Sequence, residues 1–236
     1  MNEIFGTFRG TVLRQSEGKV GGARSVFAKF KGLKNELVYP FAGGLIKNAP
    51  KGEGFKFFAG DLMEFRTNER YEKPEVYLLK TYKVKSVNST KVTIERDGYK
   101  HKPFANDILG VAPEKIGGEM TAATVKSVVE VDGGWELTMS AALSGAKEGD
   151  VLVEGVANGS TTMLVKAINA FADCDGDMPY VGATEALTDF EKAKYLYTPA
   201  VGGAYIYIHK MSPLPACVLA ENKSQFNGLF KTTSLN

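Results

Sequence analysis

The chain has 236 residues, 44% hydrophobic and 24% charged, with a formal net charge of +2. That is enough apolar material for a real core, and it argues against bulk disorder. Two histidines and two cysteines leave little room for metal, disulfide or His-based chemistry.

No run of about 18 apolar residues is present, so no membrane-spanning helix is expected. The start, Met1-Asn2-Glu3-Ile4-Phe5-Gly6, lacks the basic and apolar regions of a secretory signal. The chain is therefore expected to be made in a cytoplasm and kept there until assembly.

The first stretch is basic, with Arg9, Arg14, Lys19, Arg24, Lys29, Lys31 and Lys34 interleaved with Phe8, Phe27 and Phe30. Such a pattern suits phosphate or single-stranded nucleic acid. However, Val26, Ala28 and Phe30 alternate with Phe27, Lys29 and Lys31. That favours a strand with one solvated face over a nucleic-acid groove.

Period-two patterns then predict strands over 76–79, 81–87 and 91–96, closed by the turn signal Asp97-Gly98. Ala112-Pro113 and Gly117-Gly118 punctuate the chain, and a domain boundary is expected at Pro113–Gly118. The domains are a basic β-rich 1–115 and an acidic, barrel-like 116–236 that ends in an extended segment. Strands follow over 124–131 and 135–140, joined by Asp132-Gly133-Gly134, with Trp135 as a core anchor.

Met163, Leu164, Ala167, Ile168 and Phe171 fall at helical spacing, but the segment could equally be extended. Thr188-Asp189-Phe190-Glu191 is a capping-box pattern for a short helix through Lys194. Tyr205-Ile206-Tyr207-Ile208 reads as a strand in a core or subunit interface, and Met211-Ser212-Pro213-Leu214-Pro215 as a rigid extended segment. The fold class is mainly β: two small barrel or sandwich units with one or two short helices.

The net charge conceals a division. Residues 1–115 carry 21 Lys+Arg and 13 Asp+Glu, a balance of +8. Residues 116–200 carry 5 and 13, a balance of −8, and residues 201–236 carry 3 and 1. Opposed charge along a chain signals interaction surfaces.

A partial repeat accompanies it. Val84-Lys85-Ser86-Val87 matches Val125-Lys126-Ser127-Val128, an offset of 41 (125 − 84). Asn106-Asp107-Ile108-Leu109 matches Gly149-Asp150-Val151-Leu152, an offset of 43 (150 − 107), and Gly60-Asp61-Leu62-Met63 is a third copy of that element. In each copy a turn ending in Asp leads into an apolar strand. The pattern suggests two related small barrels or sandwiches.

Candidate sites are few. Asp173, Asp175 and Asp177 alternate around Gly176, which could wrap a calcium ion. Met178 and Thr184 stand where an EF-hand needs Gly and Glu, so the alternative is a solvated acidic turn. His101 and His209 lack metal spacing, and Cys174 and Cys217 read as free buried thiols. The pairs Gly43-Gly44, Gly117-Gly118, Gly133-Gly134 and Gly202-Gly203 read as turns rather than phosphate loops. No catalytic residue, cofactor or metal ligand is assigned.

The run Val125-Lys126-Ser127-Val128, then Asp132-Gly133-Gly134-Trp135 and Glu148-Gly149-Asp150-Val151-Leu152-Val153, is similar to a short β-barrel in capsid-associated proteins of tailed bacteriophages. Ile168-Asn169-Ala170-Phe171 and Met211-Ser212-Pro213-Leu214-Pro215 add to the likeness. The resemblance is to head decoration, auxiliary capsid and head fibre proteins, and covers about half the chain. It implies a non-enzymatic virion protein that binds and stabilises or decorates a capsid. The implied partners are the major capsid protein or other virion proteins, with homo-oligomers possible and no membrane. The alternative is a nucleic-acid-binding β-barrel that uses the basic N-terminal strand.

Overall fold

A computed structural model describes residues 11–16, 24–30, 45–48, 55–58, 61–66, 75–96, 101–168, 170–171, 176–178, 204–207, 212–225 and 230–233. In chain order the first strands are β1 (Thr11–Ser16), β2 (Arg24–Phe30), β3 (Leu45–Ile46), β4 (Phe55–Phe57), β5 (Leu62–Arg66) and β6 (Glu75–Leu78). Next come β7 (Thr81–Asn88), β8 (Lys91–Glu95), β9 (Ile108–Val111), β10 (Glu119–Val131), β11 (Gly134–Met139), β12 (Val151–Glu154) and β13 (Gly159–Thr162). The remainder are β14 (Ala170–Phe171), β15 (Gly176–Met178), β16 (Ala204–Tyr207), helix α1 (Ala216–Gln225) and β17 (Phe230–Thr233). The architecture is mainly β.

The chain divides into two compact units: Met1–Leu78, Ile168–Met211 and Asn222–Asn236 in one, Leu79–Ala167 with Ser212–Glu221 in the other. Pro113–Gly118 falls inside the second unit, where it joins β9 to its hydrogen-bonded neighbour β10. The composition shift there marks a turn within one sheet, where Gly118 N–H donates to the Lys115 carbonyl.

In the first unit, β1, β2, β16 and β17 form one sheet, β14, β5, β6 and β3 a second, and β15 pairs with β4. Tyr205, Ile206 and Tyr207 lie in β16, between β2 and β17. Asn48 prolongs the β3–β6 pairing with its side chain: Nδ2 donates to the Leu78 carbonyl (2.8 Å), and Leu78 N–H donates to Oδ1 (2.9 Å).

The second unit is a closed ring. Going round, β7 pairs β8, β8 pairs β11, β11 pairs β10, β10 pairs β9, β9 pairs β12, and β12 returns to β7. All six pairings are antiparallel, and β13 extends the sheet from the first half of β10. Alternation predicted β7, β8, β10 and β11, and the Asp-turn repeat predicted the apolar strands β9 and β12, which bury two adjacent residues each. Tyr82, Val84, Val92, Ile94, Leu109, Ala123, Val125, Trp135, Leu137, Met139, Leu143 and Leu152 form one buried cluster. Trp135 is its aromatic anchor, as its place after Gly133-Gly134 predicts.

The repeated words occupy equivalent places in the two halves of this ring. Both Val84-Lys85-Ser86 and Val125-Lys126-Ser127 span a shift in register within a hairpin, a β-bulge. Val84 N–H donates to the Asp150 carbonyl and Val125 N–H to the Asp107 carbonyl, each at 2.8 Å. Each valine also accepts from the residue preceding that Asp, Gly149 at 2.9 Å and Asn106 at 2.8 Å. The pairing Leu152↔Tyr82 likewise mirrors Leu109↔Ala123. The ring is thus two copies of a hairpin, turn and strand, β7–β8–β9 and β10–β11–β12, related by a local two-fold axis.

The segment from Met163 to Ile168 carries no helix; Met163 bridges Gly155 instead. The capping-box helix expected after Thr188 lies outside the described residues. Helix α1 begins directly after Pro215, whose carbonyl accepts from Val218 and Leu219. No described helix is long and apolar enough to cross a membrane.

Candidate functional site

The concentration of buried chemistry lies at one end of the ring. Leu79 and Lys80 lead into β7, and Lys80 is in phase with Tyr82 and Val84, which point into the core. Its side chain is 1% exposed. A lone ammonium there would be prohibitive, and two carboxylates meet it. Lys80 Nζ lies 2.5 Å from Glu154 Oε1 and 3.4 Å from Asp107 Oδ1. Glu154 ends β12, next to Lys80 across the β7–β12 pair.

Asp107 is fixed by its turn. Its Oδ2 accepts from Phe104 N–H at 2.9 Å, and its own N–H donates to the Phe104 carbonyl at 3.2 Å. The Tyr82 hydroxyl lies 3.5 Å from the same Oδ2 and 3.5 Å from the Lys102 carbonyl. Burial alone lowers the Lys80 pKa, but Glu154 and Asp107 outweigh it and hold it above its usual value. Burial, then the charges of Asp107 and Glu154, push the Tyr82 hydroxyl well above the ordinary tyrosine range.

The same Asp turn recurs without the cluster. Asp150 Oδ2 accepts from Lys147 N–H at 2.9 Å, and Asp61 Oδ2 from Phe58 N–H at 2.7 Å. The two-fold relation puts Thr121, Ala123 and Val111 where the first copy has Lys80, Tyr82 and Glu154. The turn needs only its aspartate; the amine and the second carboxylate are additions to one copy. Sequence inspection marked Asp107 as part of the repeat and missed Lys80, Tyr82 and Glu154. The available signal was a lysine in phase with the apolar positions of a strand.

A second, half-buried network lies in the first unit on β5 and β6. Arg66 sits 3.8 Å over the Tyr77 ring and bonds both Glu64 oxygens at 2.8 Å. Glu75 accepts from Tyr77 and pairs with Lys47 at 3.0 Å. The bond from Lys47 holds the Glu75 carboxyl below its usual range, whereas burial raises the Tyr77 hydroxyl.

The sequence candidates are scattered. Asp173 and Asp175 lie outside the described residues, and Asp177 sits in β15 opposite Lys56. Among the described residues, no group of three His, Cys, Asp or Glu side chains could hold a metal ion. His101 is buried, with its N–H donating to Ser212 Oγ at 3.2 Å, and His209 is outside the described residues. Cys217 is a buried cysteine, as expected, while Cys174 is outside the described residues. Arg14 falls in β1, and Arg24 and Lys29 in β2; Arg9, Lys19, Lys31 and Lys34 are outside. Gly133-Gly134 forms the β10–β11 turn, with Gly133 at a φ of 64°.

No family model, curated protein or solved structure matches this chain.

Proposed function

We propose that this chain is a non-enzymatic structural protein of a bacteriophage virion, one that binds a capsid and stabilises or decorates it. The observation that supports this reading most is the place of the likeness to phage head proteins. Its residues, 125–128, 132–135 and 148–153, build β10, β11 and β12, one half of a closed and filled ring. A barrel filled by side chains presents its outer strands, turns and edges to a partner rather than a cavity to a substrate. A rigid ring also suits a part that must hold its shape on a shell. The partner is the major capsid protein or another virion protein.

The test is co-sedimentation of the purified full chain with assembled capsids that lack it, followed by electron microscopy. Stoichiometric pelleting and added density at symmetry-related positions are expected. A chain that stays in the supernatant at every ratio overturns the reading.

A further inference from the structure

We propose that Lys80 and Asp107 condense into an intramolecular amide bond inside the ring, with Glu154 as the general acid–base that moves the protons. This goes beyond the capsid reading and does not depend on it.

Three conditions for amide formation between side chains meet here, and Glu154 must supply the fourth, a neutral amine, because the two carboxylates favour the ammonium. The first is proximity. Lys80 Nζ stands 3.4 Å from Asp107 Oδ1, and both side chains are nearly withdrawn from water, at 1% and 7% exposure. That contact is to the carboxyl oxygen; it confines the amine beside the carbon it must attack, and such confinement is worth a large effective concentration. Both are held by the sheet: Lys80 adjoins β7, and the Asp107 carbonyl accepts from Val125 N–H at 2.8 Å.

The second condition is a proton carrier. Glu154 Oε1 lies 2.5 Å from the same Nζ, and its side chain is 11% exposed. No exchange with bulk water is needed, because the base already touches the reacting nitrogen. The third is stabilisation of the developing charge. Asp107 Oδ2, the oxygen that becomes the amide carbonyl, receives the Phe104 N–H at 2.9 Å and faces the Tyr82 hydroxyl at 3.5 Å. Fixed donors on that oxygen favour the tetrahedral intermediate.

The atoms balance without any co-reactant. Glu154 takes one proton from the Lys80 ammonium and passes it to Asp107 Oδ1. The freed amine attacks Asp107 Cγ, forming the C–N bond. Glu154 then takes a second proton from the nitrogen and hands it to the same Oδ1. The C–Oδ1 bond breaks, one water leaves, and Glu154 is a carboxylate again. One buried cation and one buried anion become a neutral amide, which removes the desolvation cost of that pair.

The two-fold relation supplies an internal contrast. Asp150 makes the same turn but has Thr121 and Val111 where Asp107 has Lys80 and Glu154. A carboxylate needed only for its turn does not require the other two groups.

The experiment is intact-mass spectrometry of the denatured full chain, followed by tandem sequencing of its peptides. The expected mass is one water below that of the sequence, with a branched peptide joining Lys80 to Asp107. Lys80→Arg should restore the full mass, and Asp107→Asn should lose ammonia in place of water. Glu154→Gln should slow the reaction about 100-fold or more. A full-mass wild-type chain overturns the proposal. So does a water loss that persists in Lys80→Arg, the mark of a succinimide at Asp97-Gly98 or Asp132-Gly133. A branch at Glu154 overturns the assignment to Asp107, and an unchanged rate in Glu154→Gln overturns its role.

Discussion

Val92 and Leu137 face each other across the β8–β11 pair, both fully buried, and each is the image of the other under the two-fold relation of the ring. The opposite pair on the axis is Gly110 and Val153, across β9 and β12. Leu137→Ala should cost about 2–5 kcal/mol, the range for a buried leucine. Val92→Ala enlarges the same space, so the double variant should depart from the sum of the single ones. Val129, 54% exposed on β10, is the control, and Val129→Ala should stay within about 0.5 kcal/mol. Urea unfolding reads all four.

Gly110 is the less tolerant member of the second axial pair. A Cβ on it would lie 2.2 Å from the Thr121 carbonyl oxygen and 2.5 Å from the Met120 methyl. The side chain can move aside; the backbone oxygen cannot without breaking the β9–β10 pairing. Gly110→Ala should therefore destabilise by about 3 kcal/mol or more, the upper range of overpacking. Gly145→Ala, with nothing within 4 Å but a φ of 78°, should cost less, about 1 kcal/mol. Equal losses at the two sites would contradict this packing.

Alternation made β7, β8, β10 and β11 legible through a wet and a dry face, and turn chemistry marked β9 and β12, whose burial does not alternate. Val84-Lys85-Ser86-Val87 and Val125-Lys126-Ser127-Val128 were legible as a repeat, but their joint closure into one ring was not. Closure depends on β8 meeting β11, forty residues apart (134 − 95 = 39 at the nearest paired residues), and local pattern carries no such information. Helix α1 was missed because Pro215 stands where a Ser or Asp cap would signal its start. Lys80 was hidden for a different reason: a charged residue in a strand reads as solvated until its partners are known.

The charge division also changes meaning once the ring is closed. Residues 79–111 carry 7 Lys+Arg and 3 Asp+Glu, while residues 119–154 carry 2 and 7. The two halves meet through Lys80–Glu154, Lys91–Glu136 and Arg96–Glu130. Part of the opposition along the chain is thus complementarity between halves of one barrel. Lys91→Glu should destabilise by about 0.5–1 kcal/mol, because the pair is exposed and screened. Lys91→Glu combined with Glu136→Lys should recover most of the loss, and 1 M salt should shrink the difference. A double-mutant cycle without coupling would count against the pairing.

Asp61, Asp107 and Asp150 each bond the amide three residues earlier, so the turns can be tested singly. Asp150→Ala leaves the Lys147 N–H, at 2.9 Å from Oδ2, without that acceptor. The expected loss is about 1 kcal/mol, and Asp150→Asn, which keeps an oxygen acceptor, should lose less. Asp61→Ala should behave alike through Phe58 N–H. Thermal unfolding of the four chains measures this. If Asp150→Ala and Asp150→Asn are equally damaged, the bond is not what the aspartate supplies.

Tyr82 should weaken the ring at alkaline pH. Burial holds its hydroxyl well above the usual range, and burial raises Tyr77 in the first unit as well. An unfolded chain ionises both near pH ~10, while the folded chain keeps the protons. Below that pH both states are neutral and the stability is complete. Above it the folded state binds more protons than the unfolded one, so stability falls as pH rises towards the folded value. Each such tyrosine contributes a slope of up to about 1.4 kcal/mol per pH unit. Tyr82→Phe should therefore flatten the loss of stability between about pH 10 and 11, although it destabilises nothing through charge at pH 7. Urea unfolding of wild type and variant across that interval gives the difference. Parallel curves would mean that Tyr82 ionises as freely in the folded ring as in the unfolded chain.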